Sequence, residues 1–438
     1  MGGALLQLVA IGKQDVFLTG SPEITFWKVV YKRHTNFAID SIKQTHTGSY
    51  PQYTYTIAKA GDLIHKCYLR VERYELNSPS DIDTSTDYIS YVNTFGHALI
   101  ESMQLKIGGV TVDTQTGEFL ELWKELTITE EKREGFEEMI GIDGAYDPSN
   151  SYRRDARTFY IPLQFFFCTN PGLSLPIIAL QYHEVQIVFN FRKFEDMLTL
   201  TRGDSGSDSK TINTILYDNP NIRKDFNIEL FVDYVYLDVD ERRRMAQSSH
   251  EMLVTQTKRI SHMIQSNIES DRIDLKNLNH PVKELIWVTK VNHGEVNRDY
   301  FDFGYSDSNN AIGRDGVVNT GFYETHEIMK QASITLNGND RVEKRDSMFY
   351  RCIQPYQHHT RIPNNYIYVY SFALKPEEVQ PSGSCNFSRI DNAYLNVDNN
   401  TENLDGGIAS DAYEYVVYAL NWNVLRIQSG QGGIAFTN

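Results

Sequence analysis

The sequence predicts an all-β protein that carries two related β-sandwiches in tandem. Three observations predict it: a hairpin followed by a short helix occurs twice, the segments flanking that unit recur in the same order, and period-two alternation dominates between them. A length of 438 residues fits two sandwiches of generous size or three average domains.

The first hairpin runs through Met103-Gln104-Leu105-Lys106-Ile107, whose apolar side chains share one face. Gly108-Gly109 permits the tight turn, and Val110-Thr111-Val112 returns as the partner strand. Directly afterwards the period changes, because Phe119, Leu122, Trp123 and Leu126 recur at helical spacing and describe a short helix with one buried stripe. The second copy has Ile334-Thr335-Leu336, a turn at Asn337-Gly338, and then Met348, Phe349, Cys352 and Ile353 at helical spacing.

The flanks repeat as well. YTYTIAKAGDLIHKCYLRV from Tyr53 parallels DRIDLKNLNHPVKELIWVT from Asp271, and FYIPLQFFF from Phe159 parallels NYIYVYSFA from Asn365. The offsets are 271 − 53 = 218, 338 − 109 = 229 for the hairpin, and 365 − 159 = 206. Collinear matches with drifting offsets are what a duplication with loop insertions leaves behind; chance likeness among strands is the alternative.

The small polar run from Arg202 to Ser209 reads as a linker or exposed loop, placing the junction near residues 203–222. The expected division is an N-terminal arm over 1–25, a first sandwich over 26–212 and a second over 213–438, each sandwich with room for eight strands. Residues 74–90, 141–157 and 292–321 are too long and polar for simple turns. The segment after Leu126 is helical, with Phe136, Met139 and Ile140 on one face to pack on the domain or on a neighbour.

The formal charge is 42 − 57 = −15, which argues against a surface that coats nucleic acid by neutralising phosphates. Residues 1–45 differ, with Lys13, Lys28, Lys32, Arg33 and Lys43 against Asp15, Glu23 and Asp40, so 5 − 3 = +2. Such an arm either pairs with acidic neighbours or is simply a solvated face. Cys67, Cys168, Cys352 and Cys385 show no CxxC spacing and read as buried free thiols of a reducing compartment. No apolar run reaches membrane-spanning length, and GGALLQLVAIG lacks a basic flank, so the chain reads as soluble and unsecreted. Position 6 is Leu6, not Ser or Thr, which breaks the myristoylation pattern.

Catalysis needs a constellation, and the sequence offers none. Asp302-Phe303-Gly304 lacks the other kinase motifs, and Gly430-Gln431-Gly432-Gly433 lacks a phosphate-loop lysine and reads as a flexible tail. His358-His359, on a strand, would point to opposite faces and so not share an ion. Asp238-Val239-Asp240-Glu241 followed by Arg242-Arg243-Arg244 reads as a charge-balanced loop. Asn386 and Asn399 match the N-glycosylation pattern, unused in an unsecreted chain. No catalytic, cofactor or metal residue is expected.

Residues 14–38, QDVFLTGSPEITFWKVVYKRHTNFA, with LVAIG leading into them, remain to be explained. Thr19-Gly20-Ser21-Pro22 is a breaker cluster, and the aromatic, β-branched residues 24–31 have the composition of a first strand. This string closely resembles the amino-terminal signature of the major capsid proteins of large icosahedral double-stranded DNA viruses, the nucleocytoplasmic type that includes the chlorella viruses. The ending YVVYALNWNVLRIQSGQGGIAF is similar to that family's final strand and glycine-rich tail.

The resemblance implies a double jelly roll, two consecutive eight-stranded jelly-roll sandwiches with short helices and long outward loops. It also implies homotrimeric, pseudo-hexagonal capsomers that tile an icosahedral virion shell, assembled in the host cytoplasm. Implied partners are neighbouring capsomers and minor capsid or cement proteins beneath the shell. An internal membrane would lie between shell and genome, with no direct nucleic-acid contact. Lys28, Lys32, Arg33 and His34 become candidates for inter-subunit or underside contacts, with Phe26, Trp27 and Tyr31 as alternative anchors of the first strand. Two rival readings stay open. One is a jelly-roll carbohydrate-binding module using some of the 27 tyrosines and 22 phenylalanines; the other is a capsid-associated glycan hydrolase, which needs opposed carboxylates in a cleft.

Overall fold

The computed structural model describes residues 3–24, 26–27, 32–76, 88–142, 155–201, 223–265, 268–291, 300–301, 303–306, 325–400 and 413–436. Met1–Phe37 and Ala38–Asn438 are separate compact units.

In the first unit the chain forms two short helices, Gly3–Val9 and Lys13–Thr19, with no buried residue in either. Ser21, at φ 55°, turns the chain within the breaker cluster. The strand expected over residues 24–31 is not seen among the described residues: Ile24, Phe26 and Trp27 lie outside any strand and are exposed, Trp27 at 82%. Composition alone does not make a strand, which needs a ladder partner and a face to bury. Residues 25 and 28–31 lie outside the described residues, among which the first strand begins at Phe37.

The second unit starts with β1 (Phe37–Gln44), β2 (His46–Ser49), β3 (Gln52–Thr56), β4 (Leu63–Arg73), β5 (Tyr88–Tyr91) and β6 (Ile100–Ile107). Next come β7 (Val110–Gln115), β8 (Arg157–Pro162), β9 (Val185–Phe191), β10 (Leu198–Thr201) and β11 (Asn227–Leu237). The later half has β12 (His250–Ile264), β13 (Ser270–Asp274), β14 (Pro281–Val291), β15 (Tyr305–Ser306), β16 (Thr325–His326) and β17 (Met329–Leu336). It closes with β18 (Asn339–Asp346), β19 (Tyr368–Ser371), β20 (Cys385–Asn386), β21 (Ala393–Asn399), β22 (Tyr413–Gln428) and β23 (Gln431–Ile434).

Both halves use one topology. In the first, a sheet ordered β1-β11-β4-β8 faces one ordered β2-β3-β9-β6-β7; in the second, β12-β22-β14-β19 faces β13-β21-β17-β18. Counting β2 and β3 as one interrupted strand gives eight per sandwich in the same jelly-roll order. The three repeats read from sequence fall on equivalent strands: β3–β4 with β13–β14, β6–β7 with β17–β18, and β8 with β19. Both hairpin turns adopt positive φ, at Gly108 and Gly109 and at Asn337 and Gly338, which is why glycine and asparagine stand there.

The expected junction over 203–222 lies outside the described residues, as does most of the three long loops. β11 follows that segment in sequence yet pairs with β4, Leu230 opposite Leu69, and so completes the first sandwich. The chain crosses to the second through the helix Val239–Gln247, where a loop was expected. Asp238 caps it by accepting from the Val239 N–H, and Arg242 pairs with Asp62 at 3.0 Å.

In the sheet β12-β22-β14-β19 the strands β22, β14 and β19 are buried on both faces, whereas β12 is largely exposed or half-buried. Leu285, Trp287, Tyr415 and Val417 belong to the second sandwich's core, while Ile286, Val288, Val416 and Tyr418 join the core of the first. Near-continuous apolar runs in β14 and β22 are the sequence counterpart of that double burial. By contrast β4 alternates, with Cys67, Leu69 and Val71 inside and Lys66, Tyr68, Arg70 and Glu72 on the outer face.

Candidate assembly surfaces

The helix Gly117–Thr127 joins the two sandwiches. Thr116 caps it, its Oγ1 accepting from the Phe119 N–H at 3.2 Å and lying 2.7 Å from the Tyr418 hydroxyl of β22. Tyr418 in turn donates to Glu118 at 3.0 Å, and Lys290 pairs with the same carboxylate at 3.0 Å. The Phe119 ring packs 5.6 Å from that of Tyr418, as helical spacing in the sequence requires of a buried stripe.

Beside this helix the edge of β7 meets the edge of β12. Asp113 accepts the Thr257 N–H at 2.8 Å, and Gln256 donates to the Val112 carbonyl. Burial pushes the Asp113 carboxyl up to about 6, against hydrogen bonds from Thr257, Gln115 and Thr114. Lys283 reaches into the same junction: its ammonium donates to the Pro376 carbonyl at 2.7 Å and sits 5.0 Å from the Trp422 ring centroid, and burial lowers its pKa.

Two buried ionic groups went unread in the sequence. His97 and Lys124 flank Glu121 at 2.7 and 2.6 Å, and Arg361 of the second sandwich reaches Glu125 at 3.3 Å. His359 is not on a strand; it follows the helix Gln354–His358 and is fully buried between Glu284 at 3.0 Å and Glu377 at 3.0 Å. Burial would lower its pKa, but Glu284 first and Glu377 with it raise it to about 9. Only strand-separated carboxylates make that site, so no local motif announces it.

The chain's C-terminal glycines are not a loose tail. β22 and β23 form a hairpin with Ser429 and Gly430 at positive φ, and it docks on the first sandwich through Tyr182 N–H to Gly430 O at 2.9 Å and Gly432 N–H to His183 at 3.1 Å. Cys67 and Cys168 are buried as expected, whereas Cys352 and Cys385 are half-buried, Cys385 packing against the second core from β20.

Of the assembly candidates, Lys32, Arg33 and His34 lie on exposed chain without regular structure, and Lys28 lies outside the described residues. Exposed apolar side chains are concentrated in the first unit, including Leu8, Val9, Phe17 and Leu18. The second sandwich has its own set. The helical turn Phe349–Ile353 and the helix Gln354–His358 were expected to bury Met348, Phe349, Cys352 and Ile353; instead Tyr350 is the buried anchor, while Met348 at 60%, Ile353 and Tyr356 are exposed. The five-residue turns of this segment rotate the stripe away from the core.

A cleft of about 500 Å³ is lined by Lys258, Arg259, Ile260, Ser261, Lys276, Asn277 and Asn279, with no carboxylate among them. A second, of about 50 Å³, includes Glu377 and Glu378 but has room for little more than water. Neither presents the opposed carboxylates of a glycan hydrolase.

Comparison with known proteins accounts for nearly the whole chain. The family described as "Major capsid protein N-terminus" matches residues 25–238, and that described as "Large eukaryotic DNA virus major capsid protein" matches residues 241–433. The major capsid proteins of Pyramimonas orientalis virus and Phaeocystis pouchetii virus are 39% and 37% identical over the full length of both chains. The PBCV-1 VP54 crystal structure superposes with a TM-score of 0.74 at 30% identity, covering 94% of this chain and 100% of that one. With the duplicated jelly roll, these matches settle the family: the chain belongs to the major capsid proteins of large eukaryotic DNA viruses.

Proposed function

We propose that three copies of this chain close into a pseudo-hexagonal homotrimer, and that these capsomers tile the flat facets of an icosahedral shell. The observation that carries this reading is the shared strand order of the two rolls, since three chains with two like rolls each place 3 × 2 = 6 similar units around one axis. A three-fold contact is heterologous and terminates because the rotation closes. We place the division between the rolls within residues 238–249, after β11 and before β12, with an arm preceding β1.

Trimers form the robust level and the lattice the adjustable one. Obligate interfaces commonly bury about 2,000–5,000 Å², whereas contacts between capsomers can be small because each capsomer makes many. Apolar side chains of the arm, with Lys28, Lys32, Arg33 and His34, serve contacts on the shell's underside to neighbouring capsomers or minor capsid proteins. The net charge of −15 keeps the shell off the genome, consistent with an intervening membrane and with assembly in the host cytoplasm. Light scattering of the purified protein, followed by electron microscopy, tests the reading. A stable species at 50.4 kDa that never forms hexagonal plates or shells overturns it.

A further inference from the structure

β12 is the outermost strand of its sheet: it pairs with β22 on one side, and among the described residues no strand pairs with its other edge. The first roll closes part of that edge. Gln256 donates to the Val112 carbonyl and the Thr257 N–H to Asp113, so cover from β7 reaches Thr257. From Lys258 onward the strand emerges, with Lys258, Arg259, Ser261 and Met263 exposed, while Ile260 packs against the second core and holds the edge in place. A strand edge offers N–H and C=O groups in alternation, and an extended peptide laid along it completes their hydrogen bonds.

Charge selects the occupant. The cleft of about 500 Å³ opens beside this edge, between residues 258–261 and the segment that joins β13 to β14. Lys258, Arg259 and Lys276 line it without a carboxylate, on a chain whose net charge is −15. Arg259 is engaged by Glu414 at 3.2 Å, and Lys276 reaches the exposed Asp274 at 3.6 Å. Lys258 has no ion-pair partner among the described residues; burial first and then the Lys258 charge hold the His280 imidazole below its ordinary range. A lysine on an edge repels a like edge of another copy and attracts a strand of opposite charge. Asn277 and Asn279 in the same cleft supply amide donors for carboxylate oxygens.

We propose that β12 accepts an added strand along residues 258–264 from a partner protein, an extended acidic segment whose backbone pairs with the free edge and whose carboxylates sit at Lys258 and Lys276. Side chains of a strand alternate between its faces, so a segment with an acid at every second position presents all its carboxylates to one side. The edge and the cleft belong to one roll of one chain, so the site needs no second copy and goes beyond the trimer reading.

Fluorescence anisotropy on the full chain tests this with a labelled peptide of four Asp-Val repeats, the same peptide with its backbone nitrogens methylated, and a peptide of four Lys-Val repeats. The Asp-Val peptide is expected to bind saturably and to slow hydrogen exchange at residues 258–264, and the Lys-Val peptide is expected not to bind. Backbone methylation, and separately Lys258→Glu combined with Lys276→Glu, should each weaken binding about tenfold. No saturable binding by the Asp-Val peptide, or protection that falls elsewhere, overturns the site. Equal binding by the methylated peptide shows charge attraction alone and overturns strand addition; equal binding by inorganic polyphosphate makes the cleft a general polyanion site and overturns it too. Both lysines are exposed, so the double variant is expected to keep the native melting curve. If it fails to fold, the methylated peptide decides the matter on the native chain.

Discussion

Asp113 of the first roll accepts the backbone N–H of Thr257 of the second at 2.8 Å, so one buried carboxylate staples the two sandwiches edge to edge. Its pKa rises from 3.8 to about 6 by burial, so the folded state prefers the protonated form. Stability from this group is full below the unfolded value and is lost as pH rises through about 6, a difference on the order of 3 kcal/mol. Asp113→Asn keeps an oxygen for Thr257 and cannot ionise. Thermal melts should show the native protein losing stability between pH 4 and about 7 and the variant losing less, with Asp113→Leu destabilised at every pH by the orphaned N–H.

The pair of carboxylates around His359 gives a pH dependence of the same direction at higher pH. Its folded pKa of about 9 exceeds the ordinary 6.5, so its stabilisation is complete below about 6.5 and fades as pH rises through about 9, again on the order of 3 kcal/mol. His359→Gln leaves Glu284 buried without its cation and should destabilise the second roll by about 3–5 kcal/mol at neutral pH. Denaturant titrations at pH 6.5 and 9.5 separate the two: the native protein weakens across that interval and the variant is nearly flat.

Gly432 approaches the first roll so closely that a Cβ would lie 2.6 Å from Leu180 Cδ2. Gly432→Val should therefore lift the β22–β23 hairpin and disturb its bond to His183, at about 1–3 kcal/mol. Hydrogen exchange at residues 431–434 reads this directly. Faster exchange confined to the hairpin is the expected result, and unchanged protection contradicts the docking.

What the sequence made legible was local or repeated. Gly108-Gly109 and Asn337-Gly338 specify their turns by backbone conformation, so both hairpins could be read, and repetition then placed equivalent strands. The Asp238 run was equally legible in retrospect: an Asp cap, acids in the first turn and Arg244 in the last are a helix signature, but the charge balance drew it toward a loop. Glu284, His359 and Glu377 come from separate elements, so only the folded chain brings them together. The same holds for Asp113 and Thr257. Ile24, Phe26 and Trp27 misled for the converse reason, having strand composition but lying outside any strand.

The arm's role follows from where its apolar surface goes. In the first unit Leu8, Phe17, Leu18 and Trp27 are all exposed and neither helix buries a residue, while the sandwiches form a compact unit of their own from Ala38 onward. Apolar area left in water on a free subunit and removed on assembly contributes roughly 25 cal/mol per Å² to the assembled state. Deleting residues 1–25 should accordingly leave the thermal melt and the capsomer mass unchanged while shells or hexagonal plates fail to form under the electron microscope. Exposed Leu and Phe in two short helices also predict that Phe17→Ser with Leu18→Ser reproduces most of that defect without shortening the chain. A drop in melting temperature on deletion would instead make the arm part of the sandwich fold. Full assembly by the truncated chain would move the lattice contacts to the jelly rolls themselves.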